Sequence, residues 1–406
     1  MITDPEILKK LIEQGGLMPM EEMLEVARKK GSLHIGIPKE TSFQERRVAL
    51  APETISLLVA NGHNVLVEKG AGAGSNFSDN EYSEAGAQIA YDPKEVFRCD
   101  IILKIAPPSE EEIEMMPGNQ TLVSALQLSI QPKVILQKLM TKKVTAVAWD
   151  YIRDEAGVFP IIRSMSEIAG TTSILVAGEL LSSFSAGKGM MLGGIAGVQP
   201  TEVVIIGAGT VGEFATRAAI GLGANVKVFD NSLSRLRRLQ NDIGVRVATS
   251  VIQPKVLAKA IRRADVVIGA LRAPLGRTPC VVSEEMVEEM KAGAVVVDVS
   301  IDQGGCFETS KVTNHNNPTF VKHGVVHYCV PNIASRVART ATFALSNIFS
   351  PIILEMGDHG GCKELIKNDP GFRSGVYIYK GTLTSEVLGR VFDLKYKNIE
   401  LLLPGM

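Results

Sequence analysis

Three glycines followed by an aspartate carry the clearest chemical signal in the sequence. Gly207, Gly209 and Gly212 form a G-x-G-x-x-G pattern after an apolar strand, EVVIIGAG, and a second strand, NVKVFD, ends at Asp230. In such a βαβ unit the first glycine permits a tight turn, the second lets the backbone approach a pyrophosphate, and the third lets helix and strand pack closely. The complete unit therefore predicts a dinucleotide-binding site.

The residues that follow this fingerprint indicate which dinucleotide would bind. Thr210 and Val211 begin the helix, where backbone N–H groups and the helix dipole favour phosphate. The Asp230 carboxylate would accept hydrogen bonds from ribose hydroxyls and repel a 2′-phosphate, so NAD(H) is favoured over NADP(H). A Rossmann-like domain without a nucleotide, or with another adenine ligand such as S-adenosylmethionine, is the alternative. The arginine-rich run at 235–238 suits a solvated helix face, although Arg235 could reach the adenosine side.

The reacting groups are expected just after the strands, because ligands bind beyond the carboxyl ends of an open α/β sheet. Asp302 follows the strand AVVVDVS, where a carboxylate could polarise a water or orient a base, or could serve as a turn or cap residue. Asn332 follows VVHYCV, where its amide could reach a nicotinamide carboxamide. Arg47, in QERRVALAP, could bind a substrate carboxylate bidentately or could be a surface residue.

Composition, charge and cysteine usage exclude several classes of protein. Lys+Arg 43 against Asp+Glu 44 leaves a net charge of −1, without the basic field that nucleic-acid binding needs. The five cysteines are scattered and odd in number, so no disulfide framework is expected and a reducing cytoplasm fits. The apolar run at 340–357 reads as a packed core helix rather than a membrane span. His323 and His327 are four apart, but VKHGVVHYCV reads as a strand, so no metal site is expected.

The elements that must position these residues alternate between strand and helix. One alternation begins at His34 and a second at Glu202, and each predicts a parallel sheet covered on both faces. The fold class expected is α/β, with two Rossmann-like doubly wound parallel-sheet domains. The second domain is inserted in a first domain that both chain ends build. Residues 1–30 are predicted to form two short amphipathic helices as an appendage.

Taken together, several long segments resemble the alanine dehydrogenase and nicotinamide nucleotide transhydrogenase α-subunit family, from about residue 33 to 390. They include GIPKETSFQERRVALAPETISLLVANGHNVLVEKGAGAGSNFSD, SMSEIAG, VDVSIDQGGCFE and CVPNIASRVARTATFALSN. The resemblance implies an N-terminal extension at 1–32, a substrate domain at 33–160 and 339–406, and an NAD domain at 161–338. It also implies NAD as cofactor, a small amino-acid or 2-oxo-acid substrate, and a homo-oligomer, either hexamer or dimer.

The resemblance also assigns roles to individual residues. The substrate-carboxylate arginine falls on Arg47 and the catalytic aspartate on Asp302. Arg235 stands where some members carry a lysine near the adenosine. The implied NAD contacts lie at strand ends and on one long helix: Ser166, Thr210, Val211, Asp230, Leu271, Ile301, Val330, Asn332 and Ile333.

Two positions depart from the alanine dehydrogenase pattern. The family's substrate-binding lysine is Ala106 here, with Lys104 as the earlier lysine of the same strand, and its catalytic histidine is Gln127. Gln127 can donate a hydrogen bond but cannot titrate, and losing an acid–base group typically costs about 10²–10⁴-fold in rate. The transhydrogenase subunit also lacks both groups, yet its long insertion after the second Rossmann strand is absent here.

The sequence thus predicts a cytoplasmic NAD-dependent, alanine-dehydrogenase-like enzyme of altered or weak activity, with Arg47, Asp302 and Gln127 at the reacting centre. A transhydrogenase-like hydride-transfer module and a non-catalytic NAD(H)-binding protein are the alternatives.

Overall fold

The computed structural model describes residues 31–127, 132–183, 186–273 and 276–403. The two helices expected within residues 1–30 lie outside the described residues.

The first sheet has eight strands in the order β15-β14-β6-β5-β4-β1-β2-β3. Six of them run parallel in the order 3-2-1-4-5-6 of the doubly wound fold, and β14 and β15 from the C-terminal part of the chain extend the sheet antiparallel from β6. The strands are β1 (His34–Ile37), β2 (Asn64–Glu68), β3 (Gln88–Ala90), β4 (Ile101–Leu103), β5 (Thr121–Ser124), β6 (Thr145–Ala148), β14 (Val376–Tyr379) and β15 (Thr382–Leu383).

Helices cover this sheet and begin with strong local signals. Two of them start with a capping box, in which a serine side chain accepts a bond from the third helical amide and a glutamate returns one. The helices before the second sheet are α1 (Pro52–Ala60), α2 (Asp79–Glu84), α3 (Pro93–Val96), α4 (Glu110–Met115), α5 (Lys133–Thr141) and α6 (Pro160–Ser182).

The second sheet has seven strands in the order β12-β13-β11-β10-β7-β8-β9. β12 is an antiparallel edge strand, and the other six strands are parallel and repeat the doubly wound order of the first sheet. Its strands are β7 (Glu202–Ile206), β8 (Asn225–Phe229), β9 (Ala248–Ser250), β10 (Val266–Gly269), β11 (Val295–Asp298), β12 (Thr319–Lys322) and β13 (Val325–Tyr328). The intervening helices are α7 (Thr210–Gly221), α8 (Leu233–Ile243), α9 (Pro254–Ile261) and α10 (Glu284–Glu288).

The segment VKHGVVHYCV is a hairpin and not the single strand that was expected. His323 and Gly324 join β12 to β13, and both have positive φ, 52° and 71°, as a two-residue type I′ turn requires. The two histidines therefore face different surroundings. His323 Nε2 lies 2.7 Å from Glu284 Oε1 at the surface, whereas His327 Nε2 pairs with the Thr309 hydroxyl in the interior.

Two long helices carry the chain between the cores of the two sheets. α6 begins with Ile161 in the first core and ends with Leu181 in the second. α11 (Ala338–Asp358) returns the chain, with Leu345, Phe349 and Ile353 packed in the first core. Part of the 333–358 stretch is long and apolar enough to cross a membrane, but these contacts make it the expected core helix. The remaining helices are α12 (Cys362–Asn368), α13 (Pro370–Arg373) and α14 (Glu386–Phe392). The α/β fold class with two doubly wound sheets is confirmed.

Candidate active site

The carboxyl ends of both sheets contribute to one cleft with two adjoining cavities. The inner cavity measures about 330 Å³ and the outer cavity about 410 Å³. The residues that line both come from the long helix α6, from the start of α7 and from the segment after β10: Ile162, Ser166, Val211, Ala270, Leu271 and Arg272. A ligand longer than either cavity could therefore extend from one into the other.

The glycines of the fingerprint have the distinct geometries that a bound dinucleotide requires. Gly209 lines the outer cavity, and a Cβ added there would meet nothing within 4 Å, so the backbone is open to an approaching ligand. Gly207 has φ of 119°, and a Cβ there would run into the carbonyl of Ala270. A Cβ at Gly212 would run into the carbonyl of Gly207, where α7 packs against the turn. The cradle thus fits a pyrophosphate over Gly209, beside Thr210 and Val211.

Asp230 lies on the wall of the outer cavity. Its Oδ2 accepts a hydrogen bond from the amide of Ala208 at 2.8 Å and its Oδ1 from that of Ser232 at 2.7 Å, which fix the carboxylate at the cavity wall. Each oxygen retains lone-pair capacity for a ribose hydroxyl. Arg235 Nη1 is 3.8 Å from Asp230 Oδ2, so this arginine does reach that side.

The arginine-rich run is only partly the solvated face that was expected. Arg238 lines the outer cavity, and its Nη2 donates to the carbonyl oxygen of Ala208 at 3.2 Å. The first turns of α8 follow Asp230 directly and lie beside the fingerprint loop, a proximity that helical periodicity alone does not reveal.

In the inner cavity, Arg47 is buried and paired with Glu45. Glu45 Oε1 accepts from Arg47 Nε at 2.8 Å, and Oε2 accepts from Nη2 at 2.6 Å. Burial raises the pKa of Glu45, but the charge and hydrogen bonds of Arg47, with help from Asn332, outweigh it and hold that pKa below its usual value. Nη1 of Arg47 lies 3.4 Å from the sulfur of Met165. The surface-residue alternative for Arg47 is therefore wrong.

Asn332 joins the two walls of this cavity. Its backbone N–H donates to Asp302 Oδ1 at 2.9 Å, and its side-chain Nδ2 donates to Glu45 Oε2 at 2.8 Å. This geometry is possible because Asn332 adopts a left-handed conformation with φ of 55°. The side-chain amide thus contacts Glu45 in this structure. Burial raises the pKa of Asp302, opposed by this hydrogen bond and by the charge of Arg47.

The two departures from the family pattern lie in different places. Gln127 lines the inner cavity with Arg47 and Asp302. Ala106 is buried, and its amide and that of Ile105 donate to the Glu40 carboxylate. Lys104 is the buried cation beside Glu40.

The buried charges around Lys104 form a separate cluster. The ammonium of Lys104 lies 2.9 Å from Glu112 Oε2 and 3.5 Å from Glu40 Oε2. Burial raises the pKa of Glu40 to about 7, although the charge of Lys104 opposes the shift.

Two cleft residues were missed by sequence reasoning. Asp150 follows β6 directly, and Arg272 follows β10. Both line the inner cavity, and Arg272 also lines the outer one. The rule that polar residues after strands form the site, which led to Arg47 in the same domain, would also have identified Asp150.

The other expected cofactor residues divide into two groups. Ser166 and Leu271 line both cavities, and Ile333 lines the inner one. Ile301 and Val330 are buried, in or next to the elements that carry the cavity wall. Within the described parts of the chain, no group of three or more His, Cys, Asp or Glu side chains could hold a metal ion.

Family models match nearly the whole of the described chain. Residues 36–169 match "Alanine dehydrogenase/PNT, N-terminal domain" and residues 173–386 match "Alanine dehydrogenase/PNT, C-terminal domain". The chain belongs to this family. The resemblance noted from the sequence is confirmed.

Individual relatives agree with this assignment. Alanine dehydrogenase of Bacillus subtilis is 41% identical over 90% of this chain and 96% of its own, and that of Methanococcus maripaludis is 40% identical over 90% and 98%. A solved L-alanine dehydrogenase superposes with a TM-score of 0.83 at 36% identity, covering 88% of this chain and 99% of its own. A transhydrogenase from Sinorhizobium meliloti, at 24% identity and a TM-score of 0.74, shares the fold. The chain is thus an alanine-dehydrogenase-like oxidoreductase.

Proposed function

We propose that this chain is an NAD-dependent alanine dehydrogenase, which interconverts L-alanine, NAD and water with pyruvate, ammonium and NADH. One observation carries the proposal: a buried arginine, Arg47, and a carboxylate, Asp302, line the same inner cavity, which adjoins the outer cavity beside Gly209. The confirmed family membership supports the same reaction. We also propose that the protein acts in the cytoplasm.

The proposed cofactor fits the outer cavity. Gly209, Thr210 and Val211 would hold the pyrophosphate, and Asp230 the adenosine ribose. When bound, NAD supplies the two-electron oxidant for the substrate. Ser166 and Leu271, which line both cavities, lie where the cofactor would pass from one to the other.

Arg47 would bind the substrate carboxylate through the edge that Glu45 leaves open. Glu45 engages Nε and Nη2, and one N–H of Nη1 donates to the Met165 sulfur. The second N–H of Nη1 and that of Nη2 remain for an end-on bidentate contact. Glu45 fixes the guanidinium and is itself held by Asn332, so the substrate does not have to order the arginine side chain on binding. A short side chain such as the methyl group of alanine suits a cavity of about 330 Å³ that must also admit part of the cofactor.

Two groups would act on the reacting carbon and its substituents. Asp302 lines the same inner cavity as Arg47, where its carboxylate could accept a proton from the substrate ammonium. Gln127 would donate a hydrogen bond to the carbonyl oxygen of the 2-oxo acid without changing its charge.

A direct test is NADH formation by the purified protein with L-alanine across pH 7–10, beside a panel of other amino acids. We expect turnover with L-alanine that an Arg47→Ala variant loses. The absence of NADH formation with every amino acid would refute the proposed reaction.

The second candidate is a non-catalytic NAD(H)-binding protein, and the untitratable Gln127 in the inner cavity favours it. In that case calorimetry would detect NADH binding, and no substrate would alter the fluorescence of the bound NADH.

We further propose that the chain forms a homo-oligomer. Large apolar side chains are exposed on α6, in the segment before β7 and at the end of α7: Leu175, Met191, Ile195, Val198 and Leu222. Such side chains are often covered by another subunit. Light scattering coupled to size exclusion would test this and would distinguish a hexamer from a dimer.

A further inference from the structure

We propose that Asp150 is a second proton-transfer residue of the inner cavity, acting on the substrate from the wall opposite Asp302. The inference rests on the proposed alanine dehydrogenase function. Asp150 follows β6 in the first domain, whereas Asp302 follows β11 in the second, so the two carboxyl groups enter the cavity from different domains.

The surroundings of Asp150 suit this role. The carboxylate accepts a hydrogen bond from the amide of Leu126, at 3.0 Å to Oδ1, and from the amide of Gln127. Asp150 and Gln127 also line the same cavity, so a titratable group and a hydrogen-bond donor are both available to a ligand there. Backbone amides hold the carboxylate without neutralising it, so it can still gain and lose a proton.

The charged and titratable neighbours of Asp150 are few. Arg272 approaches from the second domain, Tyr151 from the same segment, and the buried hydroxyl of Tyr377 from β14. Burial raises the pKa of Asp150, while the amides of Leu126 and Gln127 and the charge of Arg272 oppose that shift. A carboxylate whose pKa lies above its usual value is a stronger base than an exposed aspartate, which suits a group that takes up a proton and returns it.

The proposed step concerns hydrolysis of the protonated imine, C=NH2+, that forms when the substrate has been oxidised. As the oxygen of water bonds to the imine carbon, Asp150 takes one proton from that water. The carboxyl then returns the proton to the nitrogen, and the C–N bond breaks with its electron pair on nitrogen. The remaining hydroxyl proton leaves with the ammonia as ammonium. Asp150 ends as an ionised carboxylate, as it began.

Equilibrium binding of pyruvate to the protein–NADH complex, without ammonium, tests the assignment independently of turnover. In this complex a protonated Asp150 would donate to the keto oxygen, so pyruvate affinity should fall as pH rises from 5 to 9. Asp150→Asn should remove most of that dependence, because an amide donates at every pH. Asp302→Asn, measured in parallel, separates the contribution of the second carboxyl.

Steady-state kinetics supply the second readout. We expect Asp150→Asn to lower kcat for L-alanine by about 10²–10³-fold with a smaller change in KM, whereas Asp150→Glu retains a titratable group and most activity. Asp154→Asn, an exposed loop residue nearby, is the matched control and should be unchanged. Asparagine keeps an oxygen for the Leu126 amide, so the variant should fold, and its circular dichroism and melting temperature verify this.

The outcomes separate the two proposals. If pyruvate binding retains its pH dependence in Asp150→Asn, or if kcat stays within threefold of the wild type, the Asp150 assignment is overturned while the proposed function stands. If the wild type binds no 2-oxo acid and oxidises no amino acid, both fall together.

Discussion

Glu45 holds Arg47 by its Nε and Nη2 atoms, at 2.8 and 2.6 Å, and so decides which edge of the guanidinium remains for a ligand. The pair is buried, and Asn332 adds a third contact to the same carboxylate. An internal carboxylate thus positions the arginine without using its Nη1 atom. In the proposed function, Glu45 would set the orientation of the guanidinium and Arg47 would contact the substrate carboxylate.

This geometry predicts a specific defect for Arg47→Lys. Lysine keeps the charge and can still pair with Glu45, but it cannot form a bidentate contact with a carboxylate. We expect KM for L-alanine to rise at least tenfold, while calorimetry shows unchanged NADH affinity because the outer cavity is untouched. An unaltered KM would mean that the substrate carboxylate binds elsewhere.

The fingerprint glycines should separate binding from folding. A methyl group at Gly209 meets open space, so Gly209→Ala should melt like the wild type yet bind NADH at least tenfold more weakly. Gly207→Ala would place a methyl group against the Ala270 carbonyl at a φ of 119° and should lower the melting temperature markedly. Full NADH affinity in Gly209→Ala would show that no pyrophosphate lies over this residue.

Asp230 should set the preference between the two dinucleotides. Asp230→Asn removes the charge that repels a 2′-phosphate and leaves Arg235 close by, 3.8 Å from the carboxylate in the parent. We expect NADH to bind about tenfold more weakly and NADPH at least tenfold more tightly, as measured by fluorescence titration. Asp242→Asn changes the same charge on the wall of the same cavity and should leave both affinities unaltered.

Gln127→His tests whether the inner cavity accepts a further acid–base group. Histidine tolerates the left-handed φ of 45° that Gln127 adopts. We expect kcat for L-alanine to rise about tenfold or more, with a new limb in the pH–rate profile in the imidazole range, near 6.5. Gln137→His, on α5, is the control. A pH profile identical to that of the wild type would show that residue 127 does not reach the reacting atoms.

Glu40 should make folding stability depend on pH. Folding raises its pKa from 4.5 to about 7, so the folded state binds more protons than the unfolded state between those values. Stability from this group is therefore present below pH 4.5 and is lost as pH rises through 7, by roughly 3 kcal/mol in total. We expect the free energy of unfolding, measured in urea, to fall less between pH 5 and pH 8 in Glu40→Gln than in the wild type. Glu155→Gln, an exposed loop variant, should follow the wild type.

The two cavities differ in how many of their residues could be predicted from the sequence. In the outer one, Gly209, Thr210, Val211 and Asp230 were expected together, since they lie within one βαβ unit whose internal geometry is local, whereas Arg238 and Arg272 were not expected there. The inner one was predicted only in part. Arg47, Gln127, Asp302 and Asn332 do line it or bridge its walls, yet their partners Glu45 and Asp150 were not identified.

Local patterns in the chain were sufficient to predict the two doubly wound sheets and the family, which are confirmed, and a dinucleotide site, which stays a prediction. Apolar periodicity and glycine spacing act over a few residues, so they can be read without knowledge of the fold. The folded chain alone revealed the pairing of Arg47 with Glu45, the bridge from Asn332 to both walls and the entry of Asp150 and Arg272 into the cleft. Asn332 and Glu45 are about 290 residues apart in the chain. Such contacts form only because the carboxyl ends of the two sheets face the same cleft.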